Sequence, residues 1–418
     1  MKKRLAALGA ALTMALAFTG CGGSDGDGGG GEGGKSTVTV WMYPVIADQA
    51  ASQKFWEQTE KDFEAANSNV DLKIELQPWD GRDEKIATAI ASGKGPDFVV
   101  LGPDQVPQYQ KTGGLKSVKD GIGDQGRFLE SAIKAASFED DIYAVPIYHT
   151  ITTTVYNKKV FADAGVQKLP TTWDEVKEAA PKLAAKGVSI MDYSGSPENT
   201  LNLSFYPLLW QAGGSVFAED GKKVAFNSDQ GKSTLQFLVD LQKVKGLPAD
   251  AATKNNKVEG SGLANGKVAM TYAAVKPDAA LMSKALGAEN VEVGAPLTGE
   301  KQVAFGLPGL LARTSISKND DAANAVAKFF GSDDFQTKLA KEAGYFPALK
   351  DVKLDANDPL NEPFQKALEF AKSGEVHPQA RQVMAALAPQ IQAALQGKKS
   401  VEQALADAEK ECNALIEG

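Results

Sequence analysis

Pro96-Asp97-Phe98-Val99-Val100-Leu101 is the stretch that decides the fold. Four apolar residues after a Pro-Asp turn are too few for a helix and enough for a buried strand. Upstream, Val70, Leu72, Ile74 and Leu76 alternate with polar residues in the period of a strand, and Val38 to Tyr43 reads as another strand. Between these runs Phe55, Thr59 and Phe63 recur every fourth residue beside Trp56, which is helical spacing, and Ile86 and Ile90 mark a shorter helix that Gly93 ends. Strand, helix, strand, helix, strand predicts right-handed crossovers and a mostly parallel sheet covered on both faces, an α/β architecture.

Further along, Arg127 to Phe138 reads as a helix, and Ile142 to Tyr156 is rich in β-branched and aromatic residues around Pro146; a second unit begins near there. Thr172-Trp173-Asp174-Glu175 is a capping box opening a helix to about Ala185. Leu201 to Ala212 reads as an apolar helix closed by Gly213-Gly214, and Ser228 to Val244 as another after the turn at Asp220-Gly221. Val268 to Tyr272 and Val303 to Ala312 read as strands. From Asp320 the chain is mainly helical, with a capping box at Ser400 to Gln403 opening the last helix. There is no tandem repeat.

The N-terminal segment has a different character. Met1-Lys2-Lys3-Arg4 precedes an apolar run from Leu5 to Phe18, a secretory signal too short to span a bilayer, which takes about 20 apolar residues. Thr19-Gly20-Cys21 then resembles a bacterial lipobox, with Phe18 where that pattern prefers Leu; residues 1–20 would be the lipoprotein signal and Cys21 the lipidated residue. An ordinary secretory signal with an incidental cysteine is the other reading. Nine of the thirteen residues from Gly22 to Gly34 are glycine, so residues 21–36 read as a tether, spanning about 20 Å root-mean-square.

Beyond it, about 380 residues are too many for one small core and imply two lobes. The apolar fraction is 43% and the charged fraction 23%, ordinary for a globular protein. Removing Lys2, Lys3 and Arg4 takes the formal charge from -8 to -11 with no basic block elsewhere, which argues against a nucleic-acid partner. Cys412 reads as a small buried hydrophobe.

Several segments together resemble the extracellular solute-binding proteins of family 1, the maltose-binding-protein-like sugar binders that serve ABC importers. They are Ala91-Ser92-Gly93-Lys94-Gly95-Pro96-Asp97; Tyr143-Ala144-Val145-Pro146 with Tyr156-Asn157-Lys158-Lys159-Val160-Phe161; Leu209-Trp210-Gln211-Ala212-Gly213-Gly214 with Asp220-Gly221-Lys222; Asn265-Gly266-Lys267-Val268-Ala269-Met270; and Gly344-Tyr345-Phe346-Pro347-Ala348. They occur in the family's order over essentially the whole chain after the tether. The resemblance implies a two-lobed periplasmic-binding-protein-like fold of type II, with a ligand cleft between lobes built from discontinuous segments. On this reading residues 37–147 with 300–350 form lobe 1, and residues 148–299 with 351–418 form lobe 2. The chain departs from the family at Ala273-Ala274-Val275-Lys276-Pro277, where relatives carry Gly and then a stacking Trp, and at Tyr148-His149-Thr150, where maltose-type relatives carry an acidic contact.

A sugar ring offers an apolar face and a rim of hydroxyls, so a site for it combines flat aromatic rings with short donors and acceptors. In open α/β sheets ligands lie beyond the carboxyl ends of the strands. That selects Trp41 and Tyr43 at the end of the first strand, Trp79 after the second, and Asp104 and Gln105 after the third. Trp41 as a core residue and Asp104 as a helix cap are the competing readings. From the second lobe come Tyr206 and Lys276, the latter where the Trp is missing and either meeting an acidic sugar or simply solvated; His149, which reads as a partner for a sugar hydroxyl or as a satisfied buried histidine, sits with Thr150 at the first lobe crossing, and Tyr345 in a hinge-side loop. Trp210 reads as core.

Enzymatic motifs fail on context. Gly121-Ile122-Gly123-Asp124-Gln125-Gly126 has the letters of a dinucleotide fingerprint but follows no buried strand. Lys111-Thr112-Gly113 and Ser131-Ala132-Ile133-Lys134 come in the wrong order for a serine acyl-transferase. The two histidines, His149 and His377, are too few and too distant for a zinc site, and there is no nucleophile elbow. With these motifs set aside, the resemblance implies a monomeric binding protein with no cofactor, metal or catalytic residue. Its ligand would be a mono- or oligosaccharide, captured by hinge closure and passed to the membrane subunits of an ABC importer. Its location would be the extracytoplasmic face of the cell membrane, in a Gram-positive cell on the strength of the long tether. A lipid-anchored glycoside hydrolase, with two carboxylates about 5 to 5.5 or 6.5 to 9.5 Å apart, and a surface sugar receptor without a transporter are the alternatives.

Overall fold

The computed structural model describes residues 35–46 and 48–417; the signal, Cys21 and most of the tether lie outside the described residues. The chain opens with β1 (Ser36–Met42), α1 (Gln49–Ala66), β2 (Val70–Leu76), α2 (Arg82–Ser92), β3 (Phe98–Leu101) and α3 (Gln105–Lys111). After α4 (Glu130–Ala136) come a hairpin of β4 (Ser137–Phe138) and β5 (Asp141–Ile142), then β6 (Ala144–His149). It then crosses to a second sheet with β7 (Thr153–Asn157), α5 (Lys158–Asp163), α6 (Trp173–Ala184), β8 (Ser189–Met191), α7 (Phe205–Gln211), α8 (Asp229–Lys243), β9 (Val268–Ala274), α9 (Lys276–Leu286) and β10 (Val291–Val293). Through β11 (Ala304–Phe305) it returns to β12 (Pro308–Arg313), α10 (Asp320–Phe330) and α11 (Asp333–Ala343). A third crossing leads to α12 (Asn361–Ala367), β13 (Ala371–Lys372), α13 (Ala380–Leu395) and α14 (Val401–Glu417).

The first sheet has the order β2-β1-β3-β12-β6 and the second β10-β7-β9-β8. The expectation of mostly parallel sheets is modified by one reversed strand in each. β12 runs antiparallel to both β3 and β6, and β7 antiparallel to both β9 and β10. Both are the first sheet strands after a crossing. A strand entering its lobe from the hinge runs away from it, while β1, β2, β3 and β6 run the other way.

The crossings are tied together: Thr152 N–H donates to Phe305 O at 2.8 Å, β11 pairs with β13, and His149 pairs with Phe346. A Cβ at Gly306 would sit 2.7 Å from Thr150 O, so two crossing segments approach too closely for a side chain. Each sheet has its own core. Trp56, Phe63, Phe98, Phe330 and Phe335 belong to the first; Phe161, Phe205, Phe226, Leu238 and Leu387 to the second. A third cluster of Ile151, Val155, Ala304, Phe346 and Phe364 lies along the crossings. Truncating one such phenylalanine to alanine costs about 3–5 kcal/mol.

The capping box at Thr172 and Glu175 forms with both halves, and Gly93 ends α2 in the left-handed conformation at φ 64°. At Ser400 the serine half forms, and the Gln403 side chain donates to Asp407. The helix read over Arg127 to Phe138 is confined to α4, and the strand read over Val303 to Ala312 breaks at Gly306-Leu307, where the chain crosses. The helix expected over Leu201 to Ala212 breaks at Ser204, with φ −135° and ψ −86°. Pro207 explains the restart: without an N–H it fits only the first turn of a helix, where that group has no intrahelical acceptor.

Candidate ligand-binding cleft

The carboxyl ends of β1, β2 and β3 deliver three loops to one edge of the first sheet. Tyr43 follows β1 and Trp79 follows β2; their rings stack at 4.8 Å with 24° between planes. Tyr43 is buried, whereas Trp79 is 48% exposed and presents its outer face. The Arg82 guanidinium carbon lies 5.0 Å from the Tyr43 centroid and 5.7 Å from that of Trp79, within cation–π range. Arg82 is fixed by donating to Val100 O at 2.8 Å and by an ion pair with Asp83 at 3.0 Å. Burial raises the Tyr43 hydroxyl pKa, opposed by Arg82, and that hydroxyl has no hydrogen-bond partner among the described residues.

After β3, Asp104 does not cap α3 through its side chain. It is buried against Arg381 of α13, whose Nη2 donates to Oδ1 at 3.2 Å and whose Nε faces Oδ2. Arg381 also lies 3.5 Å from Asp83. Gln105 completes the group: its side chain accepts from Gly102 N–H and donates to Asp83, each at 3.0 Å. Burial pushes the nearby Tyr109 hydroxyl up to about 12, with Asp83 adding to it.

In the second lobe, the broken helix carries Asn202, Ser204 and Tyr206, all buried. The Asn202 amide oxygen and the Tyr206 hydroxyl are buried without a hydrogen-bond partner among the described residues, as is the Ser194 hydroxyl after β8, while the Ser204 hydroxyl lies against the Tyr193 side chain. Burial raises the Tyr206 hydroxyl well above its ordinary pKa, and Glu375 and Asp104 add to this, so Tyr206 feels carboxylates from both sides of the cleft. Its ring centre is 6.0 Å from that of Trp210. Trp210 is buried, but its indole N–H donates to Glu375 at 2.9 Å and Lys372 stands 4.5 Å over its ring, so it also backs this surface.

The other candidates are placed elsewhere. Trp41 is buried beneath α2, with its indole N–H donating to Glu75 at 2.9 Å and Lys85 4.8 Å over its ring. His149 and Thr150 lie in the crossing. The His149 ring bonds Thr150 O at 2.9 Å, burial lowers its pKa to about 4, and the Thr150 hydroxyl donates to Leu307 O at 3.2 Å. Tyr345 packs on Tyr148 at 5.4 Å. Lys276 is held by Asp358 at 2.7 Å and by Asn361. The structure thus gathers Tyr43, Trp79, Asp104, Gln105 and Tyr206. Sequence reasoning missed Arg82, Asp83, Glu375 and Arg381. The Arg82-Asp83 pair after Trp79 is a local signal for the first two; Arg381, 277 positions from Asp104, has none.

Two α/β lobes with strand ends converging on a cleft and three crossings beneath it define a periplasmic-binding-protein-like fold. A family model for bacterial extracellular solute-binding proteins matches residues 43–337, and the chain belongs to that family. The diacetylchitobiose binding protein DasA of Streptomyces coelicolor is 28% identical over 394 residues, covering 90% of this chain and 88% of that protein. Two solved structures share the fold. A Thermotoga lettingae ABC transporter solute-binding protein bound with α-D-tagatose has a TM-score of 0.79 at 24% identity, covering 91% of this chain and 100% of the other. The GacH receptor of Streptomyces glaucescens, solved unliganded and with acarbose, has a TM-score of 0.78 at 23% identity, covering 92% and 99%.

Proposed function

We propose that this chain captures a neutral mono- or oligosaccharide in the cleft and delivers it to an ABC importer, held by lipid on Cys21 at the extracytoplasmic face of the membrane. The observation that carries the reading is an exposed aromatic platform in the first lobe, Trp79 on Tyr43, together with Tyr206 of the second lobe, whose buried hydroxyl lacks a partner among the described residues and which feels Asp104 of the first. A sugar ring satisfies both at once: its C–H face stacks on the indole and its hydroxyls pair with the orphaned group. The name of the chitobiose-binding relative supports an oligosaccharide.

The charged groups of the cleft are matched within the protein. Arg82 pairs with Asp83, Arg381 with Asp83 and Asp104, and Lys372 with Glu375. An acidic sugar would have to break one of these pairs, and Lys276 is already engaged by Asp358. The same pairing disfavours the hydrolase alternative, since the cleft carboxylates Asp83, Asp104 and Glu375 are each engaged by a cation. Ligand contacts to both lobes favour the closed arrangement, which the importer would recognise.

Tryptophan fluorescence titrated with neutral saccharides, amino sugars and uronates tests the reading. A saturable change with a neutral saccharide that survives overnight incubation intact is expected; binding of uronates alone, or turnover, refutes it. Cys21→Ser is expected to move the protein from the membrane fraction to the soluble fraction, and retention on the membrane refutes the anchor.

A further inference from the structure

We infer that Arg381 is a latch that holds the two lobes together across the cleft mouth before and after ligand arrives. Among the described residues, the ion pairs that join the first sheet's loops to the second lobe are those of Arg381, with Asp83 and Asp104. Every other ion pair among the described residues lies within one lobe or along the crossings. The Arg381 side chain projects from the second residue of α13, whose following residues Val383, Met384 and Leu387 are built into the second core. The two aspartates stand on loops of the first sheet, at the start of α2 and just before α3.

Helix energetics do not account for this arginine. The first turn of a helix carries the positive end of its dipole, where a cation is disfavoured, and α13 has no acidic residue there to offset it. The compensation comes from the opposite lobe. Burial works against the guanidinium charge, and Asp104 and Asp83 nonetheless hold its pKa raised. Asp104 in turn is 5% exposed and makes no cap bond to its own helix. Space for the contact is built in, since a Cβ on Gly102 would lie 2.6 Å from Asp104 Oδ1 and 3.4 Å from the Arg381 guanidinium. Opening the cleft separates one cation from two anions and returns Arg381 and Asp104 to water, while Asp83 keeps Arg82 as its partner.

The inference rests on the hinge-closure part of the proposed function, but its test needs no sugar. Small-angle scattering of the unliganded full chain is compared for wild type, Arg381→Gln and Asp104→Asn at low and at 0.5 M salt, about a 4 Å screening length. Losing a charge-assisted pair is expected to lower the closed-to-open ratio about tenfold, raising the radius of gyration in both variants. High salt should do the same to wild type and little more to Arg381→Gln. Arg381→Lys, which keeps the charge, should fall between. Equal unfolding midpoints in urea establish that the variants are folded; if Arg381→Gln is not, Asp104→Asn and the wild-type salt series read the same ratio. Scattering curves indistinguishable among wild type, variants and salt conditions overturn the latch. A sugar panel that fails while the scattering shifts would instead overturn the ligand assignment.

Discussion

The hydroxyls of Tyr206 and Tyr272 make opposite demands on the free protein. Both tyrosines are almost wholly buried in the second lobe. The Tyr272 hydroxyl donates to Ser204 O at 2.6 Å, while that of Tyr206 has no partner among the described residues. Removing a satisfied hydroxyl forfeits about 1 kcal/mol and strands its carbonyl acceptor. Removing an unsatisfied one relieves a burial penalty of about 1–3 kcal/mol, part of which is lost again as a small void. Tyr272→Phe is therefore expected to lower the stability of the unliganded protein by about 1–2 kcal/mol, and Tyr206→Phe to leave it unchanged or raise it by up to about 1 kcal/mol. In the saccharide complex the order reverses for Tyr206, where losing one hydrogen bond should weaken binding by about five- to tenfold. Urea unfolding followed by far-ultraviolet circular dichroism, with midpoints compared at equal slope, measures the first effect. Fluorescence titration measures the second. If Tyr206→Phe destabilises the free protein as much as Tyr272→Phe, its hydroxyl is satisfied in solution and the reasoning about orphaned cleft groups fails.

Three further outcomes follow from the geometry. Trp79→Ala removes a half-exposed ring stacked on Tyr43, so stability should fall by no more than about 1.5 kcal/mol while saccharide affinity falls about tenfold; unchanged affinity would remove the platform from the site. A Cβ on Gly309 would lie 2.1 Å from the Tyr148 ring, so Gly309→Ala should cost about 1–3 kcal/mol in urea unfolding, and a neutral result would mean the ring has room to move. Burial lowers the His149 pKa to about 4, below the unfolded value of 6.5. The folded state then binds fewer protons, and the contribution of this residue is complete above pH 6.5 and is lost as pH falls toward 4, by up to about 3 kcal/mol. Asp278, raised to about 6 by burial, acts in the opposite sense, so the test is the wild-type minus His149→Gln difference in stability across pH 4–7. A flat difference would place His149 in contact with water.

Local periodicity carried most of the first lobe. β1, β2, β3, α1 and α2 lie where alternation, fourfold spacing and Gly93 put them. Strand direction was less legible, because alternation is the same read either way and reversal at β7 and β12 follows from the crossings. The site divided along the same line. Tyr43, Trp79, Asp104 and Gln105 sit at carboxyl ends of strands that the sequence revealed, so topology alone brought them together. Trp41, two residues before Tyr43, would share its face by the period of two, but β1 ends at Met42, so Tyr43 lies in the loop beyond the strand while Trp41 stays inside it, packed with Glu75 and Lys85. Arg381 could not be found this way. Its partners are supplied by tertiary packing of a helix whose own pattern concerns only the second core.

The place of β12 in the first sheet bears on the order in which the chain can acquire structure. β12 is the strand that joins β3 to β6, and it begins at Pro308, long after the rest of that sheet has been synthesised. A nascent chain that has reached only the second lobe holds β1, β2 and β3 without the strand that would bond them to β6. Contacts this distant in sequence form slowly, because the intervening loop must close before they repay its entropy. The late arrival of one central strand thus gives the polypeptide an interval in which its first sheet is incomplete.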